Sequence, residues 1–351
     1  MIAEDRRQLH TGTVHMPEIK LVGISTVHGN TSVENATMNA ARLLASFGTE
    51  DQRQNIRLCQ GATQPLLRRA KNDPEIHGPD GLGGVEGLLP HDHDIVHSIS
   101  NKARERKAIH ELAEAVRKDL CDTLIATGPL TNVALFIATH PELLPKIEQI
   151  VIMGGAEGRG NRSPTAEFNI LCDPEAAQIV FDANVRVIMV PLNVTHTNLF
   201  TQAENNQLLN PRADSPFSTK ASTHLRHTLS TLLTFFADTY ARVFNFRSGP
   251  PVHDPLCVFY VAFPEKFTGT RFRVDCELTG TYTAGTTSVD LWGYKTNEMI
   301  DWIRDPGSRE SWGRFGKNVW LAESVDVPSF WQSFHEVLLS VLDASNPLTI
   351  N

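Results

Sequence analysis

The sequence has no uninterrupted run of about 18 apolar residues, so no segment reads as a membrane span. Its opening, MIAEDRRQLHTG, lacks the apolar core of a secretory leader. Cysteine is scarce: Cys59, Cys121, Cys172, Cys257 and Cys276 are odd in number and form no C-x-x-C pair. They read as small core hydrophobes in a reducing compartment, which makes a cytoplasmic location the expectation. Basic charge is also in deficit. A net charge of −8 leaves no broad cationic face for a nucleic-acid polymer. Nor is there a phosphate cradle, because GPDGLGG (78–84) fits neither the Walker nor the dinucleotide pattern.

What is present is a long chain, 351 residues with 41% hydrophobic, enough to bury a large core. We expect one domain over 1–351, with 1–16 an atypical N-terminus. Short apolar runs alternate with amphipathic stretches. The runs 20–27, 122–128, 148–156 and 185–192 read as strands, and 33–47, 132–139 and 173–184 as helices. This alternation predicts an α/β fold, a mostly parallel open sheet with helices on both faces. The C-terminal half adds helices at 220–246 and 255–263, an antiparallel pair at 268–276 and 280–292, and a terminal helix at 327–344.

In such sheets a ligand sits beyond the carboxyl ends of the strands. The residues there are His28-Gly29-Asn30, Thr127 through Asn132, Gly154-Gly155, and then Asn161, Glu167 and Asn169. His77 lies in a turn-rich loop, and His253-Asp254 precedes Pro255. The set is rich in amides, carboxylates and histidine, and poor in Lys and Arg. Asn and Glu offer paired donors and acceptors without a strong counter-charge, which suits a neutral polyhydroxylated ligand such as a sugar. Glu167 and Asn169 read as one face of a short extended piece just ahead of a helix that Asp173-Pro174 opens.

These residues also carry a resemblance. GISTVHGN (23–30), ATGPLTN (126–132), IVIMGGA (150–156), the N…EFN segment (161–169), DPEAA (173–177) and HDP (253–255) are collinear. Together they resemble the inosine–uridine-preferring nucleoside hydrolases. The resemblance implies cleavage of the N-glycosidic bond of ribonucleosides, purine or pyrimidine, in a homodimer or homotetramer. It implies that Glu167 and Asn169 hold ribose hydroxyls, chiefly the 5′-hydroxyl, with Asn161 assisting, and that Asn30 contacts the 2′/3′ side. Asp254 and the Thr127 carbonyl would bind a Ca²⁺ that holds the attacking water, with Asp254 also on the substrate side. His253 would protonate the leaving base and His77 would lie near it, with Phe235, Phe236 and Tyr240 in the helical region that shapes the base pocket.

One departure bears on activity. The family opens with a strand ending in D-x-D-x-G-x-D-D, which supplies Ca²⁺ ligands and the general base. No such motif occurs in these residues, and Asp5, at a comparable spacing before Pro17, has unsuitable neighbours in Arg6 and Arg7. The expectation is therefore a sheet lacking its first strand. The alternative to an active enzyme is a catalytically impaired nucleoside- or ribose-binding relative. A purely structural protein would leave the polar set unexplained. Simpler readings compete residue by residue. Asp254 could be a helix cap, Thr127-Gly128-Pro129 a plain turn, and His77 a structural loop histidine. The cluster His91, Asp92, His93, Asp94 and His97 reads as an exposed loop.

Overall fold

The computed structural model describes residues 2–5, 19–211, 220–294 and 309–339. The apolar runs form strands as expected: β2 (Ile19–Thr26), β4 (Thr123–Ala126), β5 (Gln149–Met153) and β6 (Arg186–Val190). Joined by β1 (Ile2–Asp5), β3 (Arg57–Gln60), β7 (Phe267–Cys276), β8 (Thr287–Asp290) and β9 (Val319–Val325), they make a nine-stranded sheet ordered β3-β2-β1-β4-β5-β6-β9-β7-β8. Ladders β2–β3, β4–β5, β5–β6 and β6–β9 are parallel, while β7 runs antiparallel to both β9 and β8.

Every residue of β5 is buried. Strands covered on both faces carry continuous apolar runs rather than alternation. The two faces still divide cleanly. Ile150, Ile152, Val187 and Met189 pack with Phe136 and Phe181 on one side of the sheet. Val151, Met153, Ile188 and Val190 pack with Leu256 and Tyr260 on the other. The helices that cover these faces start at strong caps. Ser32 accepts from the Asn35 amide ahead of Val33–Phe47, and Asp173 accepts from the Ala176 amide ahead of Pro174–Phe181, with Pro174 in the first turn.

The expectation of a missing strand is corrected. The place between β2 and β4 is filled by Ile2–Asp5, running antiparallel to both neighbours. Ile2 pairs with Gly23 and Leu124, and Asp5 pairs with Ile19 at the amino end of β2. Asp5 therefore sits at the rim opposite the strands' carboxyl ends. Above the level of Ile2, Ser25–His28 and Ile125–Pro129 face a cavity of about 400 Å³.

Two further readings change. His93 caps a helix Asp94–Glu105 by accepting from the Ile95 amide, so Asp94 and His97 are helical rather than looped. Of the 280–292 stretch, Thr287–Asp290 is strand. The long C-terminal helices lie close to expectation at His224–Phe244, Pro255–Ala262 and Val327–Val337. The end of the 327–344 reading, from 340, falls outside the described residues.

Candidate active site

The carboxyl ends of β2, β4 and β5 open on a cavity of about 350 Å³. Asn30 reaches it from the turn after β2, Thr127 from the residue after β4, and Asn161, Glu167 and Asn169 from the segment after β5. His77 comes from the short helix Pro74–His77, and His253 and Asp254 from the turn before Pro255–Ala262. All eight residues singled out from the sequence thus line one cavity. Phe236 and Tyr240, from His224–Phe244, add aromatic rings to the lining. Phe235 lies outside that lining: a Cβ on Gly83 would meet its ring at 2.2 Å, so it packs against the 78–84 loop.

Glu167 and Asn169 are not on an extended piece. Glu167 is the N-cap of a one-turn helix, Phe168–Cys172, and Asn169 lies in its first turn. Glu167 Oε1 accepts from the Asn169 amide at 2.9 Å, and Oε2 from the Ile170 and Gly155 amides at 3.1 Å each. Gly155 adopts φ +78°, a left-handed conformation that favours glycine. Burial pushes the Glu167 carboxyl up to about 7, against the pull of those amides. Asn169 donates from Nδ2 to the Met153 carbonyl at 3.0 Å, and Asn161 Oδ1 accepts from the Phe168 amide at 2.9 Å. Asn169 Oδ1 and the whole Asn30 amide make no hydrogen bond among the described residues.

Asp254 sits at the N-cap position with helical backbone angles and makes no side-chain cap bond. The cap reading therefore fails. Asp254 is exposed to the two cavities, which meet at Asp254, Asn30 and Thr127. Burial and the nearby Glu167 raise its pKa to about 7.

His253 is tied at both ring nitrogens. Nδ1 is 2.7 Å from Thr195 Oγ1 and Nε2 is 3.0 Å from the Tyr240 hydroxyl. Burial, with His196 and His77 nearby, lowers its pKa to about 3, so the ring is neutral at physiological pH. One hydroxyl must then donate to the ring and the other accept. His77 and His196 are each lowered to about 4, chiefly by burial. His77 meets Phe236 edge-on at 5.5 Å, and His196 meets His253 at 5.5 Å.

Thr195, His196, Asp73 and Arg162 are neighbours that the sequence reading missed. Thr195 and His196 follow β6, so the same search beyond strand ends would have reached them. Arg162 and Asp73 line the cavity as an ion pair that spans distant parts of the chain.

A bound cation is implied by the resemblance, so the donor set can be tested. Asp254 and Thr127 both line the cavity and would offer a carboxylate and a backbone carbonyl. Among the described residues there is no group of three or more His, Cys, Asp or Glu placed to hold a metal. A Ca²⁺ ion takes about six to eight oxygen ligands, so these residues alone do not make its site.

Comparison with known proteins agrees with this geometry. The model of the inosine-uridine preferring nucleoside hydrolase family matches residues 8–332. The chain is 33% identical over 336 residues to a probable ribonucleoside hydrolase of Dictyostelium discoideum, covering 94% of this chain and 88% of that one. It is 36% identical over 288 residues to the pyrimidine-specific ribonucleoside hydrolase RihA of Salmonella paratyphi A, covering 81% and 85%. Its fold matches the purine-preferring ribonucleoside hydrolase of Gardnerella vaginalis with a TM-score of 0.72, at 27% identity over 90% of this chain and 89% of that one. The chain belongs to the inosine-uridine preferring nucleoside hydrolase family.

Proposed function

We propose that this protein hydrolyses the N-glycosidic bond of ribonucleosides, releasing ribose and free base. The observation that carries this reading is a set of unengaged acceptors and donors sharing a cavity with aromatic rings. Asn30, Asn169 and Asp254 line one cavity together with Tyr240 and Phe236, and no protein group among the described residues engages Asn169 Oδ1 or the Asp254 carboxylate. The polar groups fit a ribose, with the 5′-hydroxyl toward Asn161, Glu167 and Asn169 and the 2′/3′ hydroxyls toward Asn30 and Asp254. The aromatic rings fit a planar base. Because the reacting ring becomes flatter and partly cationic, raised-pKa carboxyls that ionise near neutral pH suit the transition state better than the substrate.

His253 and Tyr240 act on the leaving base as a hydroxyl–imidazole pair. With its pKa held well below neutral, the His253 ring rests unprotonated, so the pair relays a proton rather than storing one. Tyr240, whose pKa burial raises further, stays a protonated donor. The family resemblance adds Ca²⁺, but Asp254 and Thr127 fall short of its ligand number, and we route no step through it. Asp254 is the carboxylate best placed to take a proton from water. The relatives' names divide between pyrimidine and purine, so we assign ribonucleosides as the class without a base.

The absence of a D-x-D-x-G-x-D-D segment in the 351 residues favours a second reading, a protein that binds nucleosides and cleaves them slowly or not at all. Incubation with inosine and uridine, with free base and bound nucleoside quantified separately, decides between them. Base release supports the first reading, and saturable binding without release supports the second.

A further inference from the structure

Arg162 is the one Lys or Arg among the described residues that line the cavity. Its guanidinium is gripped by carboxylates. Nε donates to Asp73 Oδ2 at 2.8 Å, a second nitrogen donates to Asp73 Oδ1, and Nη1 reaches Glu75 Oε2 at 3.3 Å. The guanidinium carbon lies 5.5 Å from the centre of the Phe244 ring. The Arg162 and Asp73 side chains keep 20% and 11% of their exposure, so the pair is only partly wet. Arg162 follows Asn161 directly, and Asp73 and Glu75 flank the start of the helix that carries His77. This corner therefore stands where the proposed reading puts the 5′-hydroxyl. Within the cavity one carboxylate, Asp73, offsets one guanidinium, while Glu75 lies outside the lining.

We infer that Asp73 cancels Arg162 and so restricts this cavity to uncharged ribonucleosides, closing it to their 5′-phosphates. The inference rests on the ribonucleoside reading for the orientation of the ligand. A free guanidinium at this corner would be a phosphate fork, since Arg binds phosphate oxygens bidentately. Held by a carboxylate in the same fork geometry, it presents no uncompensated positive charge. A phosphomonoester would instead meet the Asp73 carboxylate as a like charge in a corner largely shielded from water, where repulsion is screened poorly. A purely structural brace would not need its partners to face the ligand cavity, and both Asp73 and Arg162 do.

Calorimetric titration of the whole chain with inosine, uridine, their 5′-monophosphates and inorganic phosphate tests the inference. Wild type should bind the monophosphates at least about tenfold more weakly than the nucleosides. Asp73→Asn should bind monophosphates and inorganic phosphate at least about tenfold more tightly than wild type, and adding Arg162→Gln should erase the gain. Asp73→Ser carries the same expectation should the Asn variant not fold. Equal binding of nucleoside and monophosphate by wild type overturns the inference. So does no gain on removing the Asp73 charge, or a gain that survives loss of Arg162. Inorganic phosphate needs no ribose contact, so it separates the two claims. A phosphate gain without any nucleoside binding sinks the ribonucleoside reading and leaves the charge cancellation standing.

Discussion

The sharpest chemistry is at single residues, and Glu167 shows how one side chain can serve two purposes. Its oxygens close a one-turn helix and receive a glycine amide while the residue lines the cavity. Its pKa, raised from 4.5 to about 7, has a definite sign in the stability curve. Between those values the folded state binds more protons than the unfolded state, so stability falls as pH rises through that window. Burial makes the contribution large, about 3 kcal/mol across the window. The histidines oppose it. His253, lowered from 6.5 to about 3, stabilises above pH 6.5 and loses that contribution as pH falls toward 3. Glu167→Gln should lower absolute stability by about 1–3 kcal/mol by mismatching amide donors, yet flatten the decline between pH 4.5 and 7. Urea unfolding across pH checks both, and an unchanged slope would refute the assigned cause. For the leaving base, His253→Ala and Tyr240→Phe should lower kcat similarly. Each loss should be about 10²- to 10⁴-fold on substrates whose base needs a proton, and smaller on others. Steady-state kinetics on inosine and uridine reads this, and equal losses on both would assign His253 to positioning alone.

At the scale of elements, Asp173 is the joint that holds the floor of the site together. It caps Pro174–Phe181 through the Ala176 amide and accepts from the Leu66 amide at 3.0 Å and the Thr131 hydroxyl at 2.6 Å. Thr131 in turn meets His28 Nε2 at 2.9 Å, linking the turns after β2 and β4. Asp173→Ala should cost about 2–4 kcal/mol, because it leaves two buried donors and one half-buried donor without an acceptor. Chemical denaturation measures that, and a cost near zero would mean the turns are held otherwise. The helix start was legible in the sequence, since Asp-Pro-Glu is a strong start signal, but its bonds to Leu66 and Thr131 were not, because they join distant parts of the chain. The parallel core was legible too: β4, β5 and β6 are continuous apolar runs. Other parts were not. RLCQ of β3 carries too few apolar residues to stand out, and β9 enters the sheet beside β6 from more than a hundred residues away. The helix Asp94–Glu105 hid behind a His–Asp cluster that resembles a loop. The one-turn helix after Glu167 was missed because Glu is an uncommon cap. Seven of the eight candidate residues stood out because each follows a strand or opens a helix; His77, which ends the helix Pro74–His77, stood out only through its turn-rich neighbours. The Arg162–Asp73 pair was not, because its partners are 89 residues apart and neither type is diagnostic alone.

The whole molecule joins a family scaffold to an unusual centre. Ile2–Asp5 occupies the slot between β2 and β4 antiparallel to both, and its acidic end points away from the cavity rim. The cavity that opens above it reaches Thr127 and Asp254, the residues that would start a cation site. With one carboxylate and one carbonyl there, we expect the 351-residue chain to bind Ca²⁺ no more tightly than about 10⁻⁴–10⁻³ M. Calorimetry with Ca²⁺ tests this. Submicromolar binding would show that acids outside the described residues complete the site.

The central claim is that this cavity holds a ribonucleoside by its sugar and breaks the bond to its base. Its most direct test is the release of free base and ribose from inosine and uridine by wild type and Asn169→Ala, followed to completion at millimolar substrate. The account predicts equal amounts of base and ribose from at least one nucleoside, with the rate about tenfold or more lower in Asn169→Ala, as expected for the loss of a polar contact to the sugar. No release from either nucleoside, or release at the same rate from Asn169→Ala, would contradict it.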